Sequence, residues 1–193
     1  MLPLLIIFAY LIASISMAII ICKILDLPDP RTQGSNNPGA TNVLRIGGKK
    51  AAAATLIGDG LKGFIPVALG HYLGFGAQEL VLIALSAFLG HVYPIFFGFK
   101  GGKGVATFIG SLLALNYFAG LAFIATWLFV AKVLKISSLS ALIATFLTPL
   151  FFYLLTKELE ATYILTVICI WIFYTHRSNI KRMLSGEEGS IKS

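Results

Sequence analysis

The first 22 residues carry no charged side chain, and this uncharged run constrains the fold more than any other feature of the sequence. About 20 consecutive apolar residues are needed for an α-helix to cross the hydrocarbon core of a bilayer. A secretory signal peptide would instead begin with a basic segment and continue with a shorter apolar core. The run therefore predicts a retained membrane-spanning helix at residues 2–22.

The composition of the chain extends this prediction from one span to several. Hydrophobic residues make up 58% of the 193 residues and charged residues 12%, whereas a soluble domain has about 25% charged residues. The mean hydropathy is +0.89. Cys22 and Cys169 lie within apolar runs, which favours buried thiols over a disulfide. We therefore expect an all-α integral membrane protein in which residues 1–193 form a single polytopic domain.

Apolar runs separated by polar stretches predict seven transmembrane helices. The predicted helices cover residues 2–22, 51–73, 79–97, 104–115, 117–134, 137–155 and 160–175. Two spans within 104–134 are short for a bilayer, so we expect short helices there that tilt, thin the membrane locally or form a half-helix hairpin.

The distribution of basic residues predicts the orientation of these helices. With two helices between 104 and 134, 13 of the 15 lysine and arginine residues fall on one side, all except Lys62 and Lys157. Basic residues accumulate in the cytoplasmic loops of membrane proteins, so we expect the N-terminus outside and the C-terminus in the cytoplasm. The net charge of +7 then reflects membrane orientation, and no nucleic-acid partner is expected.

Three polar patches interrupt the apolar runs, and the predicted orientation places all three on one side of the membrane. They comprise residues 34–42 with Arg45, residues 100–104, and residues 176–182. Each patch joins glycine-rich or polar backbone to fixed positive charge, which is the chemistry of anion binding. The sequence therefore predicts a phosphorylated substrate.

Turn-forming residues dominate the first patch. Gly34 and Gly39 permit a positive φ, so successive backbone N–H groups can point at one anion. Thr41 and Asn42 add side-chain hydrogen bonds, as does Ser35, and the Arg45 guanidinium suits two-pronged binding of an oxyanion. The alternative is an ordinary connecting loop, and the local sequence leaves both open.

The second patch, Gly101-Gly102-Lys103-Gly104, directly precedes a predicted helix. The N–H groups and positive dipole at a helix start favour phosphate, and Lys103 adds a point charge. The alternative is a flexible loop with an interfacial lysine, but three glycines around one lysine favour close approach of backbone to a ligand.

The third patch follows the last predicted helix. His176 and Asn179 share a face if the helix continues, and Arg177 lies between them. A basic tail is common after a last membrane helix, so this patch gains a functional reading only from the other two.

Two charges fall inside the second predicted helix. Asp59 and Lys62 are three residues apart and share a helix face. Because charges within a bilayer are costly unless they are paired or face the protein interior, a structural ion pair is favoured over direct substrate contact. His91, in the third predicted helix, is expected to pack or to orient a neighbour.

Motifs that would indicate other chemistry do not occur. No H-x-x-x-x-D motif is present, and no carboxylate pair adjoins the glycine-rich loops. A metal site is therefore not predicted, and neither is a cofactor. His176 is the one candidate for a general base.

The motifs together resemble the bacterial acyl-phosphate-dependent glycerol-3-phosphate acyltransferase family. The resemblance rests on four motifs in order, within residues 34–45, 59–63, 90–107 and 176–188. Asn36 stands where the family usually has glycine, and Met183 where it tends to have leucine. Asparagine accepts left-handed backbone at small cost.

The resemblance implies transfer of a fatty acyl group from acyl phosphate to the 1-hydroxyl of sn-glycerol 3-phosphate. The products are lysophosphatidic acid and inorganic phosphate, formed at the cytoplasmic face of the bacterial inner membrane. Such an enzyme in phospholipid synthesis needs membrane lipid but no obligate protein partner.

The resemblance also implies roles for individual residues. Those expected to be catalytic are His176, Ser35 and Lys103. Those expected to bind glycerol phosphate are Ser35, Arg45, Lys103, His176, Arg177 and Asn179. Those expected to bind acyl phosphate are Gly39, Ala40, Thr41, Asn42, Gly101, Gly102 and Gly104. His176 is expected to donate a hydrogen bond to phosphate, because the substrate phosphate can itself accept the proton.

Two other classes of protein compete with an acyltransferase. A transporter or channel for a phosphorylated solute is permitted by seven helices with intramembrane charges, but inverted halves are not visible and the anion-binding groups cluster at one surface. A structural membrane subunit would leave the glycine-rich loops unexplained.

Overall fold

The computed structural model describes residues 1–191, and every regular element within that range is helical. The chain divides into two compact units, residues 1–115 and the residues from 116 onward. The single domain predicted for 1–193 extends beyond the described residues and stays a prediction.

The first unit contains five α-helices and one turn of 3₁₀-helix. In chain order these are α1 (Leu2–Ala13), α2 (Met17–Ile24), α3 (Ala40–Tyr72), α4 (Ala77–Val92), the 3₁₀ turn (Ile95–Phe97) and α5 (Val105–Leu115). The long α3 packs against all four of the other α-helices, so it forms the centre of this unit.

The first membrane span is broken rather than continuous. The backbone N–H and the hydroxyl of Ser14 both bond to the Tyr10 carbonyl, at 2.9 and 2.8 Å, and Ser16 is extended. Serine side chains that bond back to residue i−4 bend helices. The expectation of one helix over 2–22 is therefore wrong, because the 23-residue candidate span Leu2–Ile24 consists of two helices.

The helix α3 contains a sharp break at Gly48, where φ is 76° and ψ is −173°. Only glycine adopts this backbone conformation readily. The segment 40–47 is already helical, although the sequence predicted a polar loop as far as residue 50. Most of the first polar patch after Gly39 therefore lies on a short helix ahead of the span.

Helices α3 and α5 approach each other closely through glycine. A methyl group in place of the Gly63 hydrogen would overlap the Thr107 carbonyl, and one at Gly110 would overlap the Gly60 carbonyl. Small residues let helix backbones pack in direct contact. This contact fixes the position of α5, and therefore of the glycine-rich loop ahead of it.

Up to residue 191, the second unit contains four helices joined by short turns. They are α6 (Tyr117–Leu134), α7 (Ser137–Thr156), α8 (Leu159–Thr175) and α9 (Arg177–Leu184). Helix α7 packs on both α6 and α8, and α9 bends away from α8 by 55°. The segment after α9 returns to the turn before α7, where the Ile191 N–H donates to the Lys135 carbonyl at 2.6 Å.

Within residues 1–191, five segments are long and apolar enough to cross a membrane, or six if α8 and α9 count as one bent span. Large hydrophobic side chains are exposed along them, such as Phe129 and Phe146. The predicted short helices around 104–134 are found as α5, with 11 residues, and α6, with 18. The count of seven spans needs α5 as a span, so that count and the orientation stay predictions.

Candidate active site

Asn42 holds the first polar loop against the start of α3. Its side chain is buried, and its Oδ1 accepts a hydrogen bond from the Ser35 N–H at 2.9 Å. Its Nδ2 donates to the carbonyls of Pro30 and Gln33, both at 2.9 Å, and its own N–H reaches the Gly39 carbonyl at 3.0 Å. Asn42 therefore shapes the loop from inside, with its side chain and its N–H already engaged.

The candidate ligands of this loop lie on its exposed side. Ser35, Thr41 and Arg45 are all exposed, and Thr41 and Arg45 share a face one turn apart. Arg45 makes no ion pair with any residue in the part of the chain that the structure describes. The first turn of α3 directs N–H groups ahead of the helix, where no helical carbonyl precedes them.

The second polar loop runs back along the end of α4. The Gly101 N–H donates to the Val92 carbonyl at 3.2 Å, and the Gly102 N–H donates to the His91 carbonyl at 3.3 Å. These two N–H groups are therefore committed to the fold. Lys103 is half-buried, and α5 begins directly after the loop.

The two loops meet at Gly102. A methyl group on Gly102 would overlap Nε2 of His91 and would lie 2.9 Å from the carbonyl oxygen of Pro38. Gly104 has a φ of 86°, and the ring of Phe88 occupies the space where its side chain would be. The structure thus brings the first two polar patches together, with the start of a helix following each.

Three buried polar groups lie beneath this junction. The ammonium of Lys62 is 2.8 Å from Oδ1 of Asp59, and Nδ1 of His91 is 3.8 Å from the same oxygen. The exposed fractions of these side chains are 5%, 1% and 6%. Lys62 also donates to the Ile15 carbonyl at 2.8 Å, and Asp59 accepts from the Met17 N–H at 3.4 Å. The pair therefore provides partners for both helix ends at the break between α1 and α2.

In the second unit, His176 lies at the junction of α8 and α9. Its side chain is buried, and Nδ1 is 2.8 Å from the Ile172 carbonyl oxygen. A carbonyl only accepts hydrogen bonds, so Nδ1 carries the proton and Nε2 carries the lone pair of the neutral ring. His176 therefore accepts at Nε2 when neutral and donates there only as an imidazolium.

Asn179 is fixed by a carboxylate from the end of the chain. Its Nδ2 donates to Oε1 of Glu188 at 2.6 Å, and the Ser138 hydroxyl donates to the same oxygen at 2.6 Å. The Arg182 Nε donates to Oε2 at 2.7 Å. Burial alone would raise the pKa of Glu188, but these three hydrogen bonds outweigh it and hold the pKa below its ordinary value. The cluster fixes the first turns of α9 against α7.

The guanidinium of Arg177 is held by its own helix junction. It lies over the ring of Tyr174, 4.4 Å from the ring centroid, and donates to the Tyr174 carbonyl at 3.1 Å. Arg177 is exposed. A contact of its guanidinium with glycerol phosphate would compete with the interactions with Tyr174, and that contact stays a prediction.

Comparison with known proteins identifies the family. Residues 3–186 match the family model described as glycerol-3-phosphate acyltransferase. The chain is 69% identical over 187 residues to the glycerol-3-phosphate acyltransferase of Ruthia magnifica subsp. Calyptogena magnifica, which covers 97% of this chain and 95% of that protein. The chain belongs to the glycerol-3-phosphate acyltransferase family. A second member, from Haemophilus influenzae (strain PittGG), is 50% identical over 184 residues, covering 95% of this chain and 92% of that protein.

Two solved structures of the same glycerol-3-phosphate acyltransferase share this fold. The crystal structure of the integral membrane acyltransferase PlsY (YgiH) in its glycerol 3-phosphate form has a TM-score of 0.94 and 39% identity, covering 99% of this chain and 96% of that one. The lysophosphatidic acid form has a TM-score of 0.91 and 38% identity, covering 98% and 94%. The resemblance to this family and the prediction of an integral membrane acyltransferase are therefore confirmed.

Two sets of contacts in this acyltransferase were not predicted from the sequence. His91 was expected to pack or to orient a neighbour, but its partners were not identified, and Glu188 was left out of the site although it lies in the fourth motif of the resemblance. The adjacent acidic residues Glu187 and Glu188 in an otherwise basic tail were the available signal for Glu188. For His91 there was no local signal, because its neighbours Asp59 and Gly102 are distant in sequence.

Proposed function

We propose that this protein transfers an acyl group from acyl phosphate to the 1-hydroxyl of sn-glycerol 3-phosphate. Lysophosphatidic acid and inorganic phosphate are the products, and the reaction serves phospholipid synthesis. The observation that carries the proposal is the likeness, over 99% of the chain, to PlsY in its glycerol 3-phosphate form. The lysophosphatidic acid form of PlsY supports the product. Family membership favours this reading over a transporter or a structural subunit.

Acyl phosphate as the donor rests on the resemblance of the motifs and on chemistry. The hydroxyl oxygen of glycerol 3-phosphate forms a bond to the acyl carbon, and the bond from that carbon to the phosphate oxygen breaks. Phosphate leaves with the electron pair, and the hydroxyl proton goes to a phosphate oxygen. An acyl phosphate is already an activated anhydride, so positioning and charge neutralisation can supply most of the rate.

In the first unit, we assign the phosphate groups to the two helix starts. Acyl phosphate is assigned to the backbone at Ala40, Thr41 and Gly104, because helix starts and glycine-rich backbone suit anions. The N–H groups of Gly39, Asn42, Gly101 and Gly102 donate to backbone carbonyls, so the proposed part of these four residues is to shape the two loops. Their predicted direct contact with phosphate stays a prediction.

The side chains assigned to glycerol 3-phosphate in the first unit are Ser35, Arg45 and Lys103. Exposure of Ser35 and Arg45 and the absence of a described ion pair at Arg45 support this assignment. In the second unit, His176, Arg177 and Asn179 keep the same proposed role, which rests on the resemblance. Ser35, Lys103 and His176 are proposed to be catalytic through contact with the reacting groups.

We also propose that the protein lies in the bacterial inner membrane with seven spans, its N-terminus outside and the catalytic loops in the cytoplasm. Lys49 and Tyr72 lie at opposite ends of the membrane segment of α3, and both are exposed. In intact spheroplasts, a membrane-impermeant maleimide should label Tyr72→Cys and leave Lys49→Cys unlabelled. The reverse pattern would overturn this orientation.

The activity is tested with the purified protein in lipid and labelled glycerol 3-phosphate. Acyl phosphate, acyl-CoA and acyl-carrier protein are offered separately, with EDTA present. We expect labelled lysophosphatidic acid from acyl phosphate alone, with phosphate released in equal amount. Product from another donor would overturn the donor assignment, and label that crosses the bilayer without any product would favour a transporter.

A further inference from the structure

We propose that His91 is a positioning residue for the second polar loop, residues 100–104, and this inference rests on the proposed function. The imidazole supports the loop from the membrane side. It thereby fixes the position at which Lys103 and the start of α5 contact a phosphate. His91 lies within the third motif of the resemblance, but the sequence predicted only that it packs or orients a neighbour and did not identify that neighbour.

The contacts between His91 and the loop involve both its backbone and its ring. The His91 carbonyl accepts the Gly102 N–H at 3.3 Å. The ring nitrogen Nε2 lies so close to Gly102 that a methyl group there would overlap it. Pro38 closes the other side, 2.9 Å from the same position. Gly102 is therefore held between the ring and the first polar loop, one residue before Lys103.

The other edge of the ring faces the buried ion pair. Nδ1 of His91 has no hydrogen-bond partner and is 3.8 Å from Oδ1 of Asp59, which is itself 2.8 Å from Lys62. A buried side chain in such contacts has little freedom to turn. The ring therefore transmits the position of α3, where Asp59 lies, to the loop ahead of α5.

A positioning role has a kinetic signature that a purely structural role lacks. A shift of the loop weakens the fit of phosphate, so in His91→Ala the KM should rise for acyl phosphate, which is assigned to Gly104, and for glycerol 3-phosphate, which is assigned to Lys103. A displacement of about 1 Å at a catalytic site can cost about 100-fold in rate, and we expect a loss of about 10- to 100-fold in kcat/KM. A lower yield of folded protein would reduce the apparent turnover and leave KM unchanged.

The variants His91→Gln and His91→Asn distinguish the role of Nε2 from that of Nδ1. Glutamine places its amide about where Nε2 lies, whereas asparagine reaches only as far as Nδ1. We therefore expect His91→Gln to recover most of the affinity for acyl phosphate, and His91→Asn to behave like His91→Ala. Ser86→Ala is the matched control on the same helix, because it removes the buried 2.7 Å hydrogen bond to the Ile6 carbonyl. It should lower the melting temperature without changing KM.

Two double-variant cycles test the contact directly. The added methyl of Gly102→Ala meets the His91 side chain, so its cost should shrink when His91→Ala is also present. The methyl of Gly101→Ala meets the carbonyl oxygens of His91 and Val92, which remain in His91→Ala, so those two changes should be additive.

The cycles are read both in kcat/KM and in melting temperature. Non-additivity at Gly102 with additivity at Gly101, together with recovery by glutamine, would support the proposal. Additive effects at both glycines, or an unchanged KM in His91→Ala, would overturn it. The melting temperatures do not depend on the reaction. If the wild-type protein lacks acyl transfer, the proposed function is refuted. The contact between His91 and Gly102 is then still tested by the double-variant cycle in melting temperature.

Discussion

Lys62 donates a hydrogen bond to the carbonyl oxygen of Ile15, 2.8 Å away, at the break that divides the first membrane span. Asp59, paired with Lys62 at 2.8 Å, accepts the N–H of Met17 on the other side of the same break. Within a bilayer, backbone groups that lose their helical partners must find others in the protein. We propose that this ion pair is structural and stabilises the broken span.

The ion pair predicts an asymmetry between single and double variants. Lys62→Met leaves the Asp59 carboxylate buried without its partner, and we expect a loss of stability of about 3–5 kcal/mol. The double variant Asp59→Asn with Lys62→Met removes both charges and should lose less. Thermal unfolding in detergent measures both. A single variant as stable as the wild type would contradict the structural role.

The contacts of Glu188 predict a pH dependence of stability. Its pKa in the folded protein lies below the ordinary value of 4.5, so folding is favoured by the ionised carboxylate. This stabilisation is present above the unfolded-state pKa and is lost as the pH falls through the lower folded-state pKa. At neutral pH, Glu188→Gln should lose about 1–3 kcal/mol, because its amide oxygen can replace only one of the two carboxylate oxygens and its NH2 group cannot accept from the donors on the other side.

Melting curves between neutral pH and the acid range check this sign. The wild type should melt higher than Glu188→Gln at neutral pH, and the two should converge in acid. Glu187→Gln is the control, because Glu187 is exposed and its side chain bonds only to the Ser185 hydroxyl among the contacts described, while its backbone bond to the Arg182 carbonyl is kept in the variant. A constant gap between wild type and Glu188→Gln across the range would refute the linkage.

Arg45 is expected to need its planar guanidinium and not only its charge. Arginine offers a fork of donors that matches an oxyanion, whereas lysine offers a point charge. Arg45→Lys should therefore raise the KM for glycerol 3-phosphate. Arg45→Ala removes the charge-assisted hydrogen bond altogether, and we expect it to lose about 1.5–3 kcal/mol of binding free energy. Lys49→Ala, an exposed basic residue beyond Gly48, is the control. Equal effects of the two alanine variants would point to general electrostatics.

His176 is predicted to bind phosphate as a donor, and its Nδ1 contact makes this a sharp test. With Nδ1 bound to the Ile172 carbonyl, donation at Nε2 requires the imidazolium, whereas a general base would use the neutral ring. In His176→Gln, whose amide can still donate, we expect turnover near that of the wild type and a raised KM. A collapse of kcat with an unchanged KM would instead identify His176 as the base.

Features set by neighbouring residues were predictable from the sequence. Apolar runs predicted the positions of the candidate spans that the structure contains, and the bounds predicted for 117–134 agree with α6. Asn36 adopts a left-handed φ of 55° in the place where the family usually has glycine, as the side chain of asparagine permits. The glycines of the second patch were predicted to let the backbone approach a ligand, which stays a prediction; in the structure Gly102 lies against His91 and Pro38, and Gly104 lies against Phe88. Periodicity, charge and turn chemistry act over a few residues, so their effects can be predicted from the sequence alone.

Tertiary contacts decided the features that the sequence did not predict. The break after Ala13 is stabilised by Lys62, 47 residues away from Ile15, and no local pattern encodes a partner at that distance. The same holds for the ring of His91 against Gly102 and for the carboxylate of Glu188 on Ser138. The local sequence therefore determined where most of the helices and the polar loops form. Burial of polar groups in an apolar protein determined their partners, because each such group must find a hydrogen bond or an opposite charge wherever the packed helices place one.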